Sequence, residues 1–271
     1  VRALVTGGGG QLGTGLRLGT PAGVEAIVLA SRELDIRDGD AVRAAVARIR
    51  PDVIVNAAAY TAVDRAESEP ELAFAANRDG PGHLAAAAAE CGAFLVHVST
   101  DFVFAGDAGR PYRPDDPTGP LSAYGESKLA GERAVRAGHP DAAIVRSAWV
   151  HAPGGHNFVR TMLRLMRERG AVRVVEDQVG TPTSAASLAA ACWRLAELRA
   201  SGTWHWTDAG VASWFDFAVA IAEESVSLGL LPSMPELTPI RTEDFPTPAR
   251  RPSYGVLDKT STRARTGLVP L

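Results

Sequence analysis

Short apolar runs alternate with amphipathic stretches through the first 150 residues. ALVTG (3–7), AIVLAS (26–31), DVIVNAAA (52–59), FLVHVST (94–100) and AAIVRSAWV (142–150) show almost no polar face. Runs of that length without alternation read as strands covered on both sides. Between them, QLGTGLRLGT (11–20), DAVRAAVARIR (40–50), the segment 67–91 and residues 122–137 carry helical spacing. Pro51 stops the second of these helices, and Pro70 and Pro81 are expected to break or restart the third. Strands alternating with helices predict a parallel sheet with helices on both faces. Right-handed crossovers then make it an α/β, Rossmann-type doubly wound fold.

Beyond about residue 150 the texture changes. PGGHNF (153–158) reads as a turn and FVRTMLRLMRER (158–169) as an amphipathic helix. VRVVEDQVGTPTS (172–184) joins a strand to a polar loop, SLAAACWRLAELRA (187–200) is helical, and GTWHWTDAG (202–210) holds a short strand. The tail is rich in proline and turns. The expected organisation is a dinucleotide-binding domain over residues 1–150, to which part of 180–210 returns, and a smaller, irregular lobe over 151–271.

Composition narrows the class. The chain has 271 residues, 46 % hydrophobic and 22 % charged, enough for a soluble globular protein with a real core. A net charge of −3 gives no general affinity for nucleic acid or an anionic membrane. No apolar run reaches the roughly 18 residues of a membrane span. VRALVTGGGG lacks a signal-peptide profile, and Cys91 and Cys192 have no motif spacing. These features predict a cytoplasmic protein with reduced cysteines. No cluster of His, Cys and carboxylates points to a metal site.

The first strand runs into TGGGGQLGTGL, which places Gly7, Gly10 and Gly13 three apart where a helix opens. A diphosphate must approach the backbone there, and a helix N-terminus offers it free N–H groups and a partial positive charge. The second strand ends in Ala30-Ser31-Arg32, with no acid before Glu33. Ser31 and Arg32 suit a ribose 2′-phosphate, which favours NADPH; an acid accepting the 2′-hydroxyl would favour NADH, which stays open as an alternative.

Only two of the 28 basic residues are lysine, and one of them, Lys128, sits four residues after Tyr124. Residues so spaced share a helix face. A cation there is expected to lower the phenol pKa and make Tyr124 a general acid for ketone reduction. A slim ammonium also has protons to spare for a cofactor ribose, which a guanidinium fork would reach less well. Ser99, Thr100 and Asp101 close the fourth strand, where ligands of open α/β sheets bind. One of them would donate to the carbonyl oxygen as charge develops on it.

With these pieces placed, the chain resembles the dTDP-4-dehydrorhamnose reductases of the extended short-chain dehydrogenase/reductase superfamily. The resemblance rests on GGGGQLG (7–13), ELDIRD (33–38), NAAAYTAVDRAESEP (56–70), STDFVFAG (99–106), YGESKLAGE (124–132), RSAWV (146–150), GGHNFVRTML (154–163), DQVGTPT (177–183) and PTPARRP (246–252). It implies that Tyr124 is the proton donor, Lys128 its cationic partner and Thr100 the group holding the keto oxygen. It implies further that Asp101 and Trp149 line the sugar pocket. Gly10, Gln11, Leu12, Asp35, Ile36, Ala57, Ala58, Ala59 and Tyr60 would wrap the dinucleotide. Asn157 and the Arg250–Arg251 region would meet the sugar diphosphate, making the second lobe a nucleotide-sugar-binding lobe. The implied partner is a dTDP-sugar, with monomer or homodimer both open.

The departures from the family pattern carry information too. Phe102 stands where such proteins often have tyrosine and where the related dehydratases carry a glutamate for elimination, which argues against dehydration. His151 replaces a common tyrosine. Thr14-Gly15 replaces an acidic residue that holds an intersubunit magnesium in some members, so no metal bridge is expected. The resemblance also implies a further helix beyond GLVPL (267–271). Two alternatives remain at this point: a 4-ketoreductase for another dTDP-deoxysugar of an antibiotic pathway, and a non-catalytic subunit like the regulatory β subunit of methionine adenosyltransferase. Intact Thr100, Tyr124 and Lys128 weigh against the second.

Overall fold

The computed structural model describes residues 1–271. The first half alternates as β1 (Arg2–Thr6), α1 (Gln11–Leu18), β2 (Glu25–Leu29), α2 (Gly39–Ile49), β3 (Val53–Asn56), α3 (Val63–Ala66), α4 (Pro70–Phe74), α5 (Gly80–Cys91), β4 (Phe94–Thr100), α6 (Ala123–Gly138) and β5 (Ala143–Ser147). The second half adds β6 (Val150–His151), α7 (Phe158–Arg169), β7 (Ala171–Val175), β8 (Val179–Gly180), β9 (Thr183–Ser184) and α8 (Ala185–Glu197). Then come β10 (Gly202–His205), β11 (Ala212–Ser213), α9 (Trp214–Ser227), β12 (Glu236–Ile240) and α10 (Thr260–Thr266). Six strands form one parallel sheet in the order β10-β5-β4-β3-β1-β2. The order reverses between β1 and β3, the kind of switch point at whose carboxyl end such sheets bind ligands.

The layers explain why these strands are apolar at nearly every position. Ala3, Val5, Val53, Val55, Phe94, Val96, Ala143 and Val145 pack with Leu16 of α1 and with Leu188, Cys192 and Leu195 of α8. The alternate residues Leu4, Ile54, Leu95 and Ile144 face the other way, onto Val42 and Val46 of α2, Leu84 and Ala88 of α5 and Val135 of α6. Successive strand residues point to opposite faces, and each fully buried aliphatic side chain contributes about 1.5–3 kcal/mol. α8 approaches α1 at Gly15, where a Cβ would lie 2.8 Å from the Ala185 carbonyl oxygen.

A smaller core holds the rest of the second half. Met162 and Met166 of α7, Val174 of β7, and Ala218, Ile221 and Ala222 of α9 close around Leu231. β7 and β12 pair in parallel beneath them. No helix is long and apolar enough to cross a membrane.

One expectation holds and two elements differ. The helix breaks after Ala66 and restarts at Pro70, and residues 70–91 then stay helical. Pro70 takes a first-turn position, where a missing N–H has no partner to lose. A single wide π-type turn over Ala75–Asp79 then lets Pro81 fall at another first-turn position, in α5. The strand expected over 142–150 ends at Ser147, because Trp149 takes φ 49° in the left-handed region and interrupts the ladder before β6. Helix α9 was not among the expected elements. Its start is marked by a capping box in which Ser213 Oγ accepts from Asp216 N and Asp216 accepts from Ser213 N.

Candidate active site

The carboxyl ends of β4 and β5 and the first turns of α6 converge on one buried cluster. Ser122 caps α6 by accepting from Gly125 N, and the helix then lies very close to its neighbours. A methyl at Gly125 would overlap the Phe102 carbonyl, and one at Gly131 would overlap the Asn77 carbonyl. This approach buries Lys128 to 2 % exposure and Tyr124 to 9 %. Phe102 packs edge-on against the Tyr124 ring, with centroids 5.5 Å apart.

The electrostatics correct one expectation. Lys128 does not lower the Tyr124 pKa. Its Nζ donates to the Val98 carbonyl at 2.7 Å, and burial pushes the phenol up to about 12, with only partial relief from its hydrogen bond to Thr100. Burial likewise pushes the Lys128 ammonium down to about 8, against the opposing charge of Glu132. At neutral pH the phenol therefore holds its proton, which is the form a proton donor needs. The Thr100 hydroxyl donates to Asp101 Oδ1 at 2.9 Å and accepts from Phe102 N at 3.2 Å. Asp101 is 3 % exposed, and burial pushes its carboxyl up to about 7.

Buried polar groups on the α6 side support this cluster. Thr6 Oγ1 donates to Asn56 Oδ1, Asn56 Nδ2 meets His97 Nδ1 at 3.0 Å, and Ala58 N donates to the same Asn56 oxygen. Asn77 accepts from Tyr60 N and donates to the Tyr60 carbonyl and to Ser127 Oγ, so it ties the segment after β3 to α6. Ser99 donates to Glu132 at 2.5 Å, and Arg146 grips the same carboxylate through Nε and Nη2 at 2.9 and 2.7 Å. Ser147, in register with Thr100 on the neighbouring strand, keeps a buried hydroxyl without a protein partner.

The glycine turn lies beside this cluster, at the switch point. Gly7 has φ 75° and sits so close to the next loop that a Cβ would meet Ala58 N at 2.5 Å. A side chain at Gly13 would overlap the Gly7 carbonyl. α1 opens at Gly10 with no side-chain cap and no acid in its first turn, so its first N–H groups, those of Gln11 and Leu12 included, have no intrahelical partner. That donor set, walled by Ala57 and Ala58, fits the diphosphate of a dinucleotide. Ser31 and Arg32 are exposed just past β2, while Glu33 turns back to accept from Ala30 N at 2.9 Å. Asp35 is engaged by Arg37 through a bidentate contact that holds its carboxyl below the usual range. Ile36 is buried, and its carbonyl contacts His83 Nδ1.

The second half of the chain meets the first at three points. Asn157 caps α7 and donates to Gln11 Oε1 at 2.8 Å, joining the loop after β6 to the glycine turn. Trp149 stacks on Trp214 with centroids 3.5 Å apart and planes within 7°. Arg251 is not a free guanidinium: both its Nη atoms bond Asp64, at 2.9 and 2.8 Å. That pair ties the C-terminal segment to α3, whereas Arg250 beside it is exposed. Thr100, Asp101, Tyr124 and Lys128 thus come together, and the turn of Gly7, Gly10, Gln11 and Leu12 meets Ala57 and Ala58 through Gly7. Sequence reasoning passed over Asn56, Asn77, His97 and Ser147. Three of the four break otherwise apolar strands with a polar residue, and that is the signal they offered.

Comparison with known proteins accords with this geometry. Residues 1–271 match the family described as the RmlD substrate binding domain. The dTDP-4-dehydrorhamnose reductase of Streptomyces griseus is 47 % identical over 284 residues, covering 100 % of this chain and 89 % of that one. The crystal structure of a dTDP-4-dehydrorhamnose reductase from Clostridium acetobutylicum superposes with a TM-score of 0.92 at 41 % identity, covering 98 % and 93 % of the two chains. That of the Bacillus anthracis reductase in complex with NADP gives 0.92 at 36 % identity, covering 99 % and 94 %.

Proposed function

The chain belongs to the dTDP-4-dehydrorhamnose reductase family, and from that premise we propose that it reduces the C4 ketone of dTDP-4-dehydro-L-rhamnose to give dTDP-L-rhamnose, with NADPH as cofactor. The observation that carries the reading is the buried grouping of Thr100, Tyr124 and Lys128 beside an uncapped helix N-terminus. NADPH supplies the hydride when bound. Gly7, Gly10, Gln11, Leu12 and the Ala57–Tyr60 segment would hold its diphosphate, with Ser31 and Arg32 at the 2′-phosphate and Asp35 and Ile36 near the adenosine.

The protein's own residues do the rest. Tyr124, protonated at neutral pH, delivers a proton to the ketone oxygen, and Thr100 donates a hydrogen bond to it. Lys128 supplies positive charge at the reacting end and hydrogen-bonds the ribose. Trp149 and Asn157 position the sugar, Asp101 stands behind Thr100, and the exposed Arg250 takes the diphosphate role expected of Arg251. Residues 1–150, with part of 180–210, serve the dinucleotide, and 151–271 grip the nucleotide sugar, whose remote binding energy orients C4. A cytoplasmic monomer or homodimer fits this role.

The test follows the loss of NADPH absorbance with enzymatically generated dTDP-4-dehydro-L-rhamnose. Turnover by wild type, with Tyr124→Phe slowed about 10²–10⁴-fold at unchanged NADPH affinity, supports the reading. Cofactor binding without turnover of this sugar points to another keto sugar or to a regulatory protein.

A further inference from the structure

We propose that Asp101 acts through Thr100 as a proton-dependent positioning residue: the neutral acid frees the Thr100 proton for the substrate ketone, and the carboxylate captures it. The proposal rests on the ketone-reduction reading above.

A threonine hydroxyl has one proton and two lone pairs. Phe102 N–H occupies one lone pair of Thr100, at 3.2 Å. With Asp101 ionised, the Thr100 proton goes to Oδ1 at 2.9 Å. The Asp101 charge also acts on the neighbouring Tyr124 phenol and makes it hold its proton more tightly. The Thr100 proton is thereby turned away from a ketone, and the phenol becomes a poorer donor to it. With Asp101 protonated, its own O–H fills the second lone pair. The Thr100 and Tyr124 protons are then both free to converge on one oxygen, the arrangement that stabilises developing negative charge. The proton that ends on the product comes from Tyr124; Asp101 keeps its own.

The surroundings keep the neutral form accessible. Burial is the main influence on this carboxyl and sets its pKa at about 7, and no charged side chain acts on it. From α6 the titratable group facing it is the Tyr124 phenol. From the C-terminal segment it meets Gly255, where a Cβ would lie 2.5 Å from Oδ2. From its own turn come backbone N–H groups. The missing side chain at 255 lets the backbone seal the carboxyl from water without offering it a counter-charge.

The experiment is the pH profile of kcat/KM for wild type, Asp101→Asn and Thr100→Val, with NADPH and the keto sugar. Wild-type kcat/KM should fall about tenfold per pH unit above an inflection near pH 7. In Asp101→Asn the amide donates to Thr100 at every pH. The inflection near 7 should vanish, leaving a decline only where Lys128 loses its proton, near pH 8. Thr100→Val should lose about 10²-fold in activity and the same inflection with it. Carbon-13 NMR of aspartate-labelled protein should show one carboxyl titrating near pH 7 that is missing from Asp101→Asn.

An unmoved inflection in either variant would overturn the proposal, as would a folded, cofactor-binding Asp101→Asn that is inactive at all pH values. So would the absence of such a carboxyl, a readout that does not depend on turnover. Wild type that binds NADPH yet turns over no keto sugar at any pH would overturn the functional reading itself, and this use of Asp101 with it.

Discussion

Asn56 meets Nδ1 of His97 at 3.0 Å and decides where that buried ring carries its proton. The amide cannot be turned over, because its Oδ1 already accepts from the Ala58 N–H and the Thr6 hydroxyl. Asn56 Nδ2 must therefore donate, Nδ1 of His97 must accept, and Nε2 carries the hydrogen. Thr6, Asn56 and His97 sit on three adjacent strands in register. The row runs from the loop beside the glycine turn to the surroundings of Lys128.

Removing the centre of that row should disturb both ends. Asn56→Ala leaves a buried hydroxyl, a backbone N–H and a ring nitrogen without a partner. It should lower stability by about 1–3 kcal/mol and weaken NADPH binding by loosening Ala57–Ala59. Denaturant unfolding together with a cofactor titration checks this; a loss of stability with unchanged NADPH affinity would limit the row to a structural role.

Stability should fall as pH drops from about 6 to 5. Burial holds His97 well below its usual pKa and His205 at about 3, so the unfolded chain takes up these two protons first. Asp101, raised to about 7, works in the opposite sense: it is protonated in the fold and releases one proton on unfolding across this window. The balance is two protons gained less one lost, a slope of about 1.4 kcal/mol per pH unit. His205→Gln should bring that slope close to zero, as read from urea midpoints against pH.

The ion pair of Glu132 and Arg146 is 6 % exposed on both sides. Glu132→Ala leaves the guanidinium without its carboxylate and should cost about 3–5 kcal/mol. Glu132→Leu combined with Arg146→Met should cost clearly less than the sum of the two single changes. A double-mutant cycle by chemical denaturation measures the difference, and strict additivity would mean that the two groups are not coupled.

Asn157 serves two partners, and they can be separated. Asn157→Ala should lose about 1 kcal/mol through the missing α7 cap and raise KM for NADPH through the lost contact with Gln11. Asn157→Ser keeps a capping oxygen but is too short for Gln11, so it should restore stability and leave KM high. If Asn157→Ser behaves as wild type in KM, the Gln11 contact has no bearing on the cofactor turn.

Legibility from sequence followed how local the cause was. The strand at 94–100 and the helix at 158–169 stand where their patterns place them, because burial on both faces or on one stripe is written directly into residue spacing. Helix α9 escaped because WFDFAVAIAEESVS is apolar around most of its circumference, and only its capping box marks the start. Arg251 drew attention as a cation beside a diphosphate site. Its partner Asp64 lies 187 residues away in sequence, and no local pattern contains that contact. The depressed phenol pKa expected of the Tyr124–Lys128 pair failed for a similar reason. Spacing places two residues on one face, but burial and the Val98 carbonyl decide what each charge does.

The stacked indoles of Trp149 and Trp214 have a consequence outside chemistry. One ring follows the last strand before the second lobe, and the other opens a helix within that lobe. Two indoles lying this close and this parallel couple their electronic transitions, so the protein carries a paired chromophore whose circular dichroism in the aromatic band depends on how the two halves sit against each other. An unlabelled sample can therefore report optically on any shift between lobe and sheet as ligands bind.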